Sequence, residues 1–328
     1  MTDLPDDLRN SLASALTSAR VEVLSASVRR LMDEYRSGRV GRSPILASAT
    51  DVTAYAAYRM PATFAAVRAA LGQLAQVVPD FRPRRHLDVG GGTGAAAWAA
   101  SEAFPGLETV TVLDQVSEAL ALGRRLSAGA GHPALRSASW RQWRFDPSGE
   151  LPAADLVTVS YVLGELPAAH RSALVAQAAA AGALVVVVEA GTPAGHGRVL
   201  DARSAFVGSG HTVLAPCPHQ GACPLSGTAD WCHFAARVNR SALHRRLKDA
   251  QLGYEDEKFS YVAAARRQPL PVAGRVLRHP TFRKGLVTLQ VCVRDDGGAR
   301  QELISKRQGD RYRQARDTGW GGIWPPTS

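Results

Sequence analysis

LDVGGGTGAAAWAA, from Leu87 to Ala100, is the stretch whose reading decides the fold of this chain. It reads as the end of a strand, a turn of glycines and the start of a helix. The glycines are spaced Gly90-x-Gly92-x-Gly94 and follow an acid, Asp88, inside the strand. Glycine permits a tight turn and a close approach of backbone to ligand. Further on, a second apolar run, TVTVLD, ends in Asp114, where a carboxylate can accept hydrogen bonds from ribose hydroxyls. The plain alternative is a tight strand-to-helix turn with no ligand. The strand–loop–helix setting and the second-strand acid argue instead for a nucleoside-bearing one.

Outward from this loop, strand-like and helix-like segments alternate. HLDV (86–89), TVTVLD (109–114), SWRQWRF (139–145), DLVTVSYVL (155–163) and ALVVVVEA (183–190) read as strands. AAAWAASEAF, VSEALALGRRL and AHRSALVAQAAAA, between them, read as helices. That alternation implies a largely parallel sheet covered on both faces. After Gly191 the pattern stops for about sixty residues. KFSYVAAA (258–265) and LVTLQVCV (286–293) are then expected to close the sheet. Residues 1–80 are expected to be helical, with Pro61 opening a new helix at its first turn. The expected division is a helical region over 1–80 and an α/β domain over 81–328, carrying a cysteine-rich insertion over about 192–256.

Composition narrows the class. Hydrophobic content of 45% with 21% charged residues is a globular balance. Four cysteines in so long a chain do not make a secreted disulfide scaffold. The longest apolar stretch, AGALVVVVEA (181–190), is too short to span a bilayer and is broken by Glu189. The start, MTDLPDDLRN, has no basic region backed by an apolar run, so no signal or transit peptide is expected there. The expectation is a cytoplasmic protein with no membrane partner. The net charge of +10 is one-sided: Arg237 to Arg316 holds 19 Lys/Arg against 8 Asp/Glu, and the remainder is nearly neutral. Such asymmetry fits an RNA partner; a solvated basic surface is the bland alternative. DNA is not expected.

PCPHQGACPLSGTADWCHF (216–234) packs Cys217, Cys223 and Cys232 into one stretch, and Cys292 follows in a late strand. Structural zinc sites usually pair cysteines two to four residues apart, and no such pair exists here. Looser spacing with neighbouring prolines also suits an iron–sulfur cluster, in which each iron takes one cysteine. Zinc, an iron–sulfur cluster and unliganded thiols all stay open on the residues alone, and His219 or His233 can stand in for a cysteine on zinc.

Two resemblances sharpen this. The glycine loop resembles the first motif of class I S-adenosylmethionine-dependent methyltransferases, E/D-x-G-x-G-x-G. That implies a Rossmann-like, seven-stranded sheet with Asp88, Gly90, Gly92, Gly94 and Asp114 at the cofactor. VSYVLGELP (159–167) lacks the Asn/Asp-Pro-Pro-aromatic motif of amino-methylating members, so no catalytic base is assigned. The cysteine stretch, with GYEDEKFSYV, AYRMPATFAAV, EAGTPAGHGRVLDAR and RQGDRYRQARDTGWGGIW, resembles a methyltransferase-like assembly-factor family of the small ribosomal subunit. The resemblance runs from about residue 50 to the end. It implies a [4Fe-4S] cluster on Cys217, Cys223, Cys232 and Cys292, and a small-subunit ribosomal RNA partner. Arg237, Arg240, Arg245, Arg246 and Lys248 are the candidate RNA-contacting residues. An active rRNA methyltransferase, or a zinc-stabilised methyltransferase with another substrate, is the alternative.

Overall fold

The computed structural model describes residues 4–17, 21–37, 48–239 and 252–326. Three helices come first: α1 (Asp6–Thr17), α2 (Val21–Ser37) and α3 (Ala49–Ala75). α3 starts at Ser48, whose hydroxyl accepts from the Asp51 backbone N–H. It then runs without interruption through Pro61, which was expected to open a new helix. A mid-helix proline costs about 3 kcal/mol. Burial of Met60, Phe64, Val67, Leu71 and Leu74 on either side of it offsets that cost.

The alternating part follows as β1 (Arg85–Val89), α4 (Ala95–Ala103), β2 (Thr109–Asp114), α5 (Ser117–Ser127), the short α6 (Pro133–Arg136), β3 (Ser139–Gln142), β4 (Ala154–Ser160), α7 (Ala168–Ala181), β5 (Gly182–Ala190) and α8 (Pro193–Gly208). β6 (Thr212–Ala215), β7 (Phe234–Asn239) and β8 (Tyr254–Ala265) complete the main sheet. Its order is β3-β2-β1-β4-β5-β8-β6, with β7 also on β8. The first five strands in this order pair in parallel, whereas β8 runs antiparallel to β5, β6 and β7. α3, α4 and α5 cover one face and α7 and α8 the other. Double coverage is why Leu184 to Val188 of β5 is an unbroken, fully buried apolar run.

The expected seven strands are eight among the described residues. The outer flank of β8 is filled twice: Thr212 to Ala215 pairs with its end and Phe234 to Asn239 with its start. Among the described residues of 192–256 the chain therefore builds α8, β6, β7 and the start of β8, and 216–233 is irregular.

LVTLQVCV does not close the main sheet. It is β11 (Leu286–Val293) of a second, antiparallel sheet with β9 (Gly274–Val276), β10 (Thr281–Arg283) and β12 (Ala299–Ser305), backed by α9 (Asp310–Asp317). The physical reason is periodicity. Val287, Leu289, Val291 and Val293 alternate with Thr288, Gln290 and Cys292, as in a strand with one buried face, whereas central strands of the main sheet are apolar on both.

Candidate functional site

The glycine loop follows β1 at the point where the chain order reverses, with β2 on one side of β1 and β4 on the other. In open α/β sheets a crevice forms there, at the carboxyl ends of the strands. Gly90, Gly92 and Gly94 all adopt positive φ (+66°, +54° and +85°), a conformation that L side chains rarely take. A Cβ on Gly90 would lie 2.4 Å from a Val162 methyl, and one on Gly94 would lie 2.5 Å from the Trp140 ring. The turn thus requires glycine on steric grounds as well.

A cavity of about 380 Å³, counting its mouth, opens beside this loop. Asp88, Gly90 and Gly92 line it, joined by Ser160 and Tyr161 after β4 and by Tyr55, Met60 and Thr63 from α3. Gly94 and Asp114 are not in the lining. Gly94 caps α4 against Trp140. Asp114 braces the loop from behind, accepting from the Gly92 N–H and the Val116 N–H, both at 2.8 Å. The α3 side of the pocket was missed as a site, although AYRMPATFAAV was among the segments that carried the resemblance.

Asp88 is fully buried. Thr158 donates to its Oδ1 at 2.8 Å, and His86 Nε2 lies 2.8 Å from the same hydroxyl. Burial pushes the Asp88 carboxyl up to about 7 and the His86 imidazole down to about 3, so both favour their neutral forms. Asp88 Oδ2 and Ser160 Oγ are buried without a hydrogen-bond partner. Two orphaned polar atoms in the lining fit a polar ligand that the glycine backbone cradles.

Tyr161 is the described non-glycine residue with positive φ, at 62°. Its hydroxyl donates to Glu257 Oε1 at 2.9 Å, and Arg59 grips both oxygens of Glu257 at 3.0 and 3.2 Å. The Arg59 guanidinium also lies 5.3 Å from the centre of the Tyr161 ring. These contacts tie α3, the end of β4 and β8 together and hold a strained backbone in place.

The four cysteines meet on the other side of β8. Cys217 follows β6, Cys232 precedes β7, Cys223 lies between them and Cys292 sits in β11. All four line one cavity of about 540 Å³, counting its mouth. Burial pushes the Cys217 and Cys232 thiols up, and Cys292 up to about 12, with mutual repulsion among the sulfurs adding to it. Among the described residues no three Cys, His, Asp or Glu side chains are grouped as for a single metal ion. The thiols line a space instead, which suits a polynuclear group that takes one cysteine per iron. His219 approaches Cys292, with Nε2 3.4 Å from Sγ. His233 is buried between Trp231 and Trp320, with ring centroids 5.2 and 5.1 Å away. Ser260 of β8 donates to the Cys232 carbonyl at 2.8 Å, fixing the end of the loop.

Arg237, on β7, forms two hydrogen bonds to Asp256 at 2.7 and 2.9 Å and stacks 4.3 Å from the Tyr254 ring centre. Arg240, Arg245, Arg246 and Lys248 lie outside the described residues. No described helix is long and apolar enough to cross a membrane.

Residues 49–325 match the family model described as "Mitochondrial small ribosomal subunit Rsm22". The chain is 30% identical over 294 residues to the human mitochondrial ribosome assembly protein METTL17, covering 83% of this chain and 62% of that one. It is 24% identical over 334 residues to the fission yeast Rsm22-cox11 tandem protein 2, also mitochondrial, covering 84% of this chain and 43% of that one. The chain thus spans less than two thirds of the length of these relatives. Among solved structures, an O-methyltransferase family protein from Burkholderia thailandensis is similar at a TM-score of 0.45 and 13% identity, over 76% of this chain and 72% of that one. The expectation of a cytoplasmic protein is corrected by these findings: the matched family and the relatives are mitochondrial. With the match spanning the glycine pocket and all four cysteines, the chain belongs to the Rsm22 family.

Proposed function

We propose that this chain is an assembly factor of the small ribosomal subunit that binds S-adenosylmethionine in the glycine pocket and a [4Fe-4S] cluster on Cys217, Cys223, Cys232 and Cys292. Family membership over residues 49–325 carries this reading, since that span holds both sites. For the nucleoside cofactor, support comes from the positive-φ glycines and the orphaned Asp88 and Ser160 oxygens in one pocket. For the cluster, support comes from four thiols around one cavity.

When bound, the cluster would cross-link segment 216–233 to the second sheet and so order a segment with little core of its own. Arg237 on β7, together with the basic run Arg240, Arg245, Arg246 and Lys248 of the sequence, would then meet small-subunit ribosomal RNA, largely through phosphate. Arg237 is held by Asp256, so an RNA phosphate would compete with that carboxylate.

A scaffold role is favoured over efficient methyl transfer. Tyr161, the hydroxyl nearest in kind to a catalytic group, already donates to a Glu257 held by Arg59. The decisive experiment is anaerobic purification with assay of iron, acid-labile sulfide and zinc. Co-sedimentation with small-subunit precursors and transfer of label from methyl-labelled cofactor complete it. Iron with matching sulfide and co-sedimentation without label are the expected results. Label on ribosomal RNA would establish the enzyme instead, and failure to co-sediment would remove the assembly role.

A further inference from the structure

The four-cysteine cavity has two other charged occupants of its wall. Arg203, from α8, and Arg275, from β9, both line it. They are 7% and 1% exposed. Both donate to backbone carbonyls. Arg203 Nη2 donates to the Gly221 carbonyl at 2.6 Å and to that of His219 at 3.2 Å. Arg275 donates through Nε to Pro216 at 3.1 Å and through Nη1 to Gly321 at 2.9 Å. Among the described residues no carboxylate pairs with either guanidinium. Arg203 Nε and Arg275 Nη2 are buried with no partner at all.

A buried guanidinium is tolerated when an opposite charge and full hydrogen bonding compensate its lost hydration. Carbonyls supply hydrogen bonds here but no counter-charge. Two such cations lining one cavity therefore call for an anion in it. Strand register makes the placement specific. Arg275 lies directly opposite Cys292 in the β9–β11 pair, so both side chains leave the same face of the second sheet. That face is opposite to the one carrying Val276 and Val291 into the sheet's own core.

We propose that Arg203 and Arg275 are the counter-charges of the metal–thiolate group held by the four cysteines, directing N–H donors at its sulfur atoms and matching its net negative charge. Four thiolates around a divalent core form a dianion, whether that core is a zinc ion or an oxidised [4Fe-4S] unit. Two guanidinium groups equal that charge. The inference rests on the reading of the cysteines as a metal centre, but not on which metal fills it. In an iron–sulfur protein the arginines would also set the ease of reduction, because adding an electron adds negative charge beside two cations.

The test compares wild type with Arg203→Gln, Arg275→Gln and Arg203→Lys after anaerobic reconstitution. It reads iron, sulfide and zinc content, midpoint potential, and the rate of metal loss to a chelator. Each glutamine variant is expected to show a lower midpoint potential than wild type and a metal loss faster by about ten- to a hundredfold. Arg203→Lys, which keeps the charge, is expected to stay near the wild-type potential. Where one glutamine variant does not fold, the other arginine's glutamine variant is read in its place. A glutamine variant that keeps its cluster at the wild-type potential and rate would overturn the role of the arginines and leave the cluster standing. A lysine variant whose potential falls as far as the glutamine variant's would overturn it too. Wild type holding zinc without sulfide would overturn the cluster alone, and the arginines are then judged by zinc loss. Wild type retaining neither metal would overturn both.

Discussion

The two sites differ in how the chain makes them. The glycine pocket is built around a single strand–loop–helix, with Asp88 to Ala96 supplying most of its lining and α3 closing it from outside. The cysteine cavity gathers α8, the segment after β6, the approach to β7, β9 and β11 around one space. A site held by local backbone geometry is a property of a short sequence. A site held by long-range packing is a property of the whole fold, and β8 lies between the two. Its Glu257 holds Tyr161 at the first site and its Ser260 holds the Cys232 carbonyl at the second.

The comparison breaks most sharply with Cys292→Ser, the largest effect expected. Metal content should fall to background while S-adenosylmethionine affinity, followed by calorimetry, stays near wild type. Loss of both would mean the sites are not separable. The converse is Gly90→Ala, which places a methyl group at positive φ against Val162. Strain of this kind costs about 1–3 kcal/mol. Cofactor affinity should drop about tenfold or more while metal content is unchanged. Glu257→Gln tests the strand between them. Losing a charged partner of Arg59 and Tyr161 should lower stability to urea by about 2 kcal/mol and loosen the cofactor before the metal.

How much of this was legible follows from the same contrast. The tight turn at Gly90, Gly92 and Gly94 and the strand-end acid Asp114 could be read from spacing because each constraint lies within one supersecondary unit. Even there, Asp114 turned out to hold the Gly92 N–H rather than line the cavity. The α3 wall was invisible, since an alanine-rich helix shows no chemistry until it is packed. The cysteines carried no metal spacing of their own, and only resemblance linked Cys292 to the others. The placement of β11 was misread although its alternation was present in LVTLQVCV. Arg203 and Arg275 are two arginines among many in sequence and become distinctive only once burial leaves them without carboxylates.

Smaller effects sharpen the comparison further. Asp88 titrates at about 7 in the folded chain against an ordinary value of 3.8. Between those values the folded state binds the extra proton, so stability should fall as pH rises through the window and level off above it. Asp88→Asn should flatten that slope in urea titrations at successive pH values, without altering metal content. A wild-type profile with no fall between those values would remove the buried neutral acid from this account. Least of all, Arg237→Ala breaks a half-exposed pair with Asp256. Stability should stay close to wild type, because a solvent-screened pair contributes little. Binding to small-subunit RNA should lose about one unit from its salt dependence if Arg237 meets a phosphate.

The divided flank of β8 has a consequence for the order of events during synthesis. β6, the three clustered cysteines and β7 all leave the ribosome before the strand on which β6 and β7 pair has been made. Cys292 emerges later still. Throughout that interval the thiols have neither their packing nor their fourth member, and two unpaired strand edges accompany them. Capture of the proposed metal group by all four cysteines would therefore be a late step, open only once translation has passed β11. A chain interrupted before that point would carry reactive thiols and open edges together, a combination that favours aggregation and oxidation.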